Sequence, residues 1–98
     1  EQRIAALREL RGDSDTISLH LRPELTLAQV KGILTDAQKA GATKVAVVAR
    51  AAEYPWSRRI YWLSDGGIRV GLRPSDSLQL LLHTIDHVAG PGAVARVD

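Results

Sequence analysis

The sequence predicts an α/β fold: a two-layer α+β sandwich in which about three helices cover a mixed five-stranded sheet, in the order α-β-α-β-β-β-α-β. Three observations predict it. Segments with helical apolar spacing alternate with short segments of strand spacing, the helices carry capping signals, and an Asp-Gly turn joins two neighbouring strands. Strand-helix-strand units imply parallel pairs while the Asp-Gly connection implies an antiparallel hairpin, so the sheet should be mixed. Its 98 residues suffice for one core without disulfide or metal staples. A single domain, 1–98, is therefore expected, with a faint internal echo between its halves, 1–50 and 58–98.

The first helix should run from Glu1 to Arg11, because Ile4, Leu7 and Leu10/Arg11 recur at helical spacing and Gly12 can cap its end in the left-handed conformation. After the turn Gly12-Asp13-Ser14-Asp15, Ile17, Leu19 and Leu21 alternate with Ser18, His20 and Arg22. That is a half-buried strand, ended by Pro23. Thr26 and Gln29 form a capping box for the second helix, and Leu25 with Val30 fits a hydrophobic staple. Leu27, Val30, Leu34 and Ala37 give its buried stripe, and Gly41 stops it. The apolar run Lys44–Ala49 reads as a central strand covered on both faces.

An irregular stretch, Ala51 to Ser57, contains Tyr54-Pro55-Trp56. Strands Arg59–Ser64 and Ile68–Leu72 should then form a hairpin through Asp65-Gly66-Gly67, since Asp-Gly tolerates the positive φ of a tight turn. Pro74-Ser75-Asp76 opens a third helix whose stripe is Leu78, Leu81, Leu82, Ile85 and Val88. Ser75 and Ser77 read as caps. Gly90-Pro91-Gly92 ends the helix, and Ala93–Val97 is a last short strand.

Composition narrows the function classes. Phe, Met and Cys are absent, so Leu, Ile, Val and Ala must build the core around four large rings. Lack of Cys excludes disulfides and thiolate metal sites. The net charge of +2 and the 24% charged residues exclude a polybasic tail or a chain disordered by composition. No run of about 18 apolar residues is present. Glu1-Gln2-Arg3 is not the start of a signal peptide. The chain reads as a piece of a longer protein, with any membrane anchor outside it.

Two constellations carry chemistry. His83 and His87 stand four apart with Asp86 beside them, a spacing that can grip zinc. A third ligand is lacking unless His20 or a distant carboxylate supplies it, and the apolar stripe places His83, Asp86 and His87 together on the solvent face. No resident metal is expected. Trp56, Arg58, Arg59, Tyr61, Trp62, Arg69 and Arg73 lie on or beside the hairpin, and guanidinium groups beside stacking rings are ingredients of single-stranded nucleic-acid or sugar recognition. Tyr61 and Trp62 must face opposite sides of a strand, so one of them belongs to the core. No Ser-His-Asp set, phosphate loop or paired carboxylates appears, and neither catalysis nor a cofactor is expected.

The stretch Ile17 to Val48 resembles the periplasmic domain of the ExbD/TolR proteins, accessory subunits of ion-driven inner-membrane motors. The resemblance rests on the strand Ile17–Leu21, on Leu27, Val30, Asp36 and Ala40-Gly41 of the helix, and on Lys44-Val45-Ala46-Val47-Val48. Ile60 to Val88 looks like the start of the same fold, giving a rotated or tandem-straddling arrangement. Where the family has Asp before the helix and Tyr at its start, this chain has Arg22-Pro23 and Leu27. The resemblance implies a non-catalytic periplasmic module of an inner-membrane protein that docks a partner protein or peptidoglycan, as a homodimer. The alternative from the residues is a cytoplasmic module binding nucleic acid or an anionic ligand through the Arg/Trp hairpin.

Overall fold

The computed structural model describes residues 2–51, 54–90 and 92–97. Three helices, α1 (Gln2–Arg11), α2 (Leu27–Lys39) and α3 (Leu78–Val88), accompany five strands, β1 (Thr16–Leu19), β2 (Lys44–Arg50), β3 (Arg58–Ser64), β4 (Ile68–Arg69) and β5 (Val94–Arg96). The element order is the expected one, and the sheet is mixed. Its strands lie in the order β1-β2-β3-β5-β4, with β2 and β3 antiparallel and every other pair parallel. Glu1 and Pro91, which fall in the expected first helix and third-helix stop, lie outside the described residues.

Local chemistry sets the helix starts. Thr26 caps α2 through the anticipated box: its hydroxyl accepts from the Gln29 amide, and the Gln29 side chain accepts from the Thr26 amide. Ser77 caps α3 by accepting from the Leu80 amide. The two helix leads also share a motif, Leu21-Arg22-Pro23 with Thr26-Leu27 and Leu72-Arg73-Pro74 with Ser77-Leu78. They meet in an antiparallel bridge between Thr26 and Ser77. Across it Leu27 and Ala28 donate to the carbonyls of Asp76 and Pro74, while Leu78 and Gln79 donate to those of Leu25 and Pro23. The first amides of each helix, normally orphaned, are thereby satisfied by the other lead.

One continuous core lies between the sheet and the helices. Ile17, Val45, Val47, Tyr61, Leu63 and Ala95 supply the sheet side, and Leu7, Leu27, Val30, Leu34, Leu78, Leu81, Leu82 and Ile85 the helix side. Helix α1 joins it through Leu7, with Ile4 packed at its margin. Its Arg11 donates to the Ala40 carbonyl at the end of α2, and Arg3 pairs with Asp36. Gly12 takes φ +56, as its capping position requires.

Four expectations are corrected. Helix α1 does not bury Leu10, which is 62% exposed, because the core ends at Leu7. The stripe of α3 stops at Ile85; Val88, in the last turn, is 69% exposed. Strand β2 has helices on one face only, so Ala46 and Val48 look the other way from Val45 and Val47.

The fourth correction concerns the turn after β3. Strands β3 and β4 do not form a hairpin, because β5 lies between them and both run parallel to it. Ser64 explains the difference: its hydroxyl donates to the Gly66 carbonyl and accepts from the Gly66 amide, bending the chain locally instead of closing an Asp-Gly turn. The antiparallel pair of the mixed sheet is β2 with β3.

Candidate functional site

The seven residues expected on one Arg/Trp surface are distributed over several places. Alternation along β3 sends Arg59, Tyr61 and Leu63 toward the helices and Arg58, Ile60 and Trp62 to the opposite face. Tyr61 is 2% exposed and belongs to the core, while Trp62 lies on the open face with the Lys44 ammonium 4.6 Å from its ring centroid. Arg69 sits on the far edge strand, and Arg73 in the lead of α3. Trp56 is 77% exposed in the loop before β3, with Tyr54 edge-on to it at 5.6 Å.

On the helix side a polar network was hidden from sequence reasoning. Asp86 turns inward, its side chain 3% exposed, and both its carboxylate oxygens lie 3.0 Å from the Tyr61 hydroxyl, which donates to them. The Arg59 guanidinium approaches the same carboxylate at 3.4 Å and lies 5.8 Å from the centroid of Tyr54. A buried carboxylate requires such partners. Burial is the main cause, and the Asp86 hydrogen bond the second, that holds the Tyr61 phenol far above its ordinary range. Neither Tyr61 nor Asp86 offers a substrate an approach, so the network locks α3 to β3.

The expected grouping of Asp86 with the two histidines on the solvent face is corrected by the same observation. His83 and His87 remain outside, their rings 4.4 Å apart and tilted by 59°, while Asp86 has turned to Tyr61. Among the described residues no three His, Cys, Asp or Glu side chains converge on a point where a metal could sit.

The Tyr61 phenol carries a prediction. Its proton is held more tightly folded than unfolded, so above about pH 10 the unfolded chain loses a proton that the folded one keeps, and stability falls. The expected slope from this one group approaches about −1.4 kcal/mol per pH unit. Tyr61→Phe should flatten the alkaline limb of a urea-stability profile, while lowering stability at pH 7 by about 1–3 kcal/mol through the donor lost to Asp86. An alkaline limb equally steep in both proteins would refute the assignment.

A cavity of about 350 Å³ opens between Leu21, Pro23, Ala49, Ala51, Pro55 and Leu82, with Arg50 and Gln79 as its polar members. It lies beyond the carboxyl ends of β1 and β2, where α/β sheets bind ligands. The helix amides that would hold an anion there are already bonded to the opposite lead and to the caps. The anionic-ligand alternative therefore gains no support from these helix ends.

A second feature is the sheet face away from the helices. Ser18, Ala46, Trp62 and Val94 form one row across it, and Val48 and Ile60 form the next. Ile60 is 52% exposed, although its neighbours are apolar. No helix of the described residues is long and apolar enough to cross a membrane. Compared with known protein families, curated proteins and solved structures, the chain matches none.

Proposed function

We propose that this chain is a non-catalytic docking module, resembling the periplasmic part of ExbD/TolR-type motor accessory subunits, that holds a partner protein or peptidoglycan and acts as a homodimer. The carrying observation is a sheet covered by helices on one face and carrying on the other an apolar patch centred on the exposed Ile60, with half-buried Val48, Trp62 and Val94 around it. Apolar surface of this kind is what a partner buries. Strand β1 supports the same reading, since it has a neighbour on one side only and is placed to accept an added strand. Residues of the resemblance have structural uses here: Asp36 ties α2 to α1 through Arg3, and Lys44 stands over Trp62.

The rival, a nucleic-acid module, expects its cations and rings on one surface, and Arg59 and Tyr61 are instead turned inward to Asp86. Salt separates the two readings. Phosphate neutralisation releases counterions, so oligonucleotide affinity would fall by orders of magnitude between about 50 and 200 mM salt. The expected result is no saturable binding of a mixed single-stranded oligonucleotide at physiological salt, with self-association in sedimentation runs that persists at high salt. Micromolar, salt-sensitive oligonucleotide binding lost with Arg58→Ala and Trp62→Ala would sink the docking reading.

A further inference from the structure

We infer that the open sheet face binds an amphipathic helix whose apolar stripe is flanked by acidic residues at both ends, a partner class that rests on the docking reading and makes it specific. The inference comes from where the charges stand. Two residues beyond the row Ala46, Trp62 and Val94 come Lys44 and Arg96, and Arg69 is paired with Arg96 on the edge strand. At the other end, beyond Val48 and Ile60, Arg50 and Arg58 are paired with each other. The apolar patch is thus bracketed by cations at both ends. No described strand carries an Asp or Glu.

Dimensions select the occupant. From Lys44 to Arg50 the strand rises six steps of about 3.3 Å, roughly 20 Å. A helix laid along the strands covers that length in about 13 residues, between three and four turns. Across the sheet the wider row, Ala46, Trp62 and Val94, spans β2, β3 and β5, about 10 Å at the usual strand spacing, which is one helix diameter, and the row Val48 and Ile60 spans β2 and β3. Acidic groups at the two ends of such a helix would meet Lys44 at one end and Arg50 with Arg58 at the other.

A single-stranded nucleic acid is the other anionic candidate, and the face suits it less. Successive bases need successive rings to stack on. Trp62 is the single ring on this face among the described strand residues, and the Lys44 ammonium already lies over it. Val48, Ile60 and Val94 offer a base no hydrogen bond, but they match a stripe of Leu or Ile; Ala46, 7% exposed, contributes little to this surface. A basic amphipathic helix would bring like charges together at both ends, which costs specificity rather than adding it.

The probe is a synthetic helical peptide of about 14 residues with a Leu stripe and two Glu at each end, compared with a version carrying Lys in place of Glu and with a mixed-sequence oligonucleotide. The expected result is saturable binding of the acidic-ended peptide to the 98-residue chain, weaker by tenfold or more for the Lys version. Ile60→Ser should abolish binding without lowering Tm. Arg50→Glu with Arg58→Glu should weaken the acidic peptide and strengthen the Lys version. If both peptides bind equally well and both are lost with Ile60→Ser, the acidic-partner inference falls while the docking reading stands. If neither peptide binds and the oligonucleotide does, both fall.

Discussion

Leu81→Ala and Ile85→Ala are each expected to lower the stability of the fold by about 2–5 kcal/mol, among the larger losses a single core truncation produces. Leu81 is fully buried and Ile85 is 2% exposed, both on the face of α3 that packs into the common core. Deleting either side chain removes transfer energy and leaves a cavity in a core built without Phe or Met, where no flexible thioether can settle into the gap. For a domain of this size each kcal/mol corresponds to roughly 4–8 °C in Tm. His83→Ala, on the outer face of the same helix, should change stability by less than about 0.5 kcal/mol. Urea titrations of the three variants check the ordering. A His83 variant costlier than Leu81→Ala would mean that α3 is rotated from the orientation described.

The contrast between Leu81 and His83 was legible in the sequence because a helical stripe is a local property. So were the capping box of Thr26 and Gln29, the cap at Ser77 and the left-handed Gly12, each decided by residues a few positions apart. What the sequence did not disclose depends on neighbours distant in the chain. Lys44–Ala49 is apolar throughout, as a strand covered on both faces would be, yet its outer residues Ala46 and Val48 sit beside Trp62 and Ile60 under no helix. Helical spacing likewise put Asp86 outside with the histidines. The Tyr61 hydroxyl, reaching from a strand 25 residues away, turned its carboxylate inward.

The candidate site was less legible than the fold for the same reason. Alternation along β3 separated Tyr61 from Trp62 correctly, but the rows across the sheet follow from strand order, which places β5 between β3 and β4. With a hairpin in that place Arg69 would have stood beside β3. Instead Arg69 pairs with Arg96, and the cations gather at the ends of an apolar patch. One signal for the reciprocal helix leads was present throughout, the repeated Leu-Arg-Pro followed by Thr-Leu or Ser-Leu. Neither copy is chemically reactive; the repeat's use is to let each lead complete the other's first helical turn.

Gly67→Ala is expected to cost about 2–4 kcal/mol, and it tests the unanticipated crossing directly. Gly67 has φ +98, where an L side chain is strained, and its missing Cβ leaves room for the Val94 backbone, whose carbonyl carbon would stand 2.9 Å from an added methyl. The chain passes there from β3 to β4 with β5 between them, so the methyl would strike backbone that has no freedom to move. Two neighbouring glycines serve as controls. Gly71 has φ +70 but nothing within 4 Å, so Gly71→Ala should show only the left-handed penalty of about 1–2 kcal/mol. Gly66 does not have positive φ, and an added Cβ would meet the Ser64 hydroxyl at a comfortable 3.9 Å, so Gly66→Ala should be close to neutral. A tight Asp65-Gly66 hairpin turn predicts the reverse order, because its two central residues both need positive φ. Gly66→Ala costlier than Gly67→Ala, measured by urea unfolding, would restore the hairpin, pair β3 with β4, and break up the rows of apolar and cationic side chains on which the proposed docking face depends.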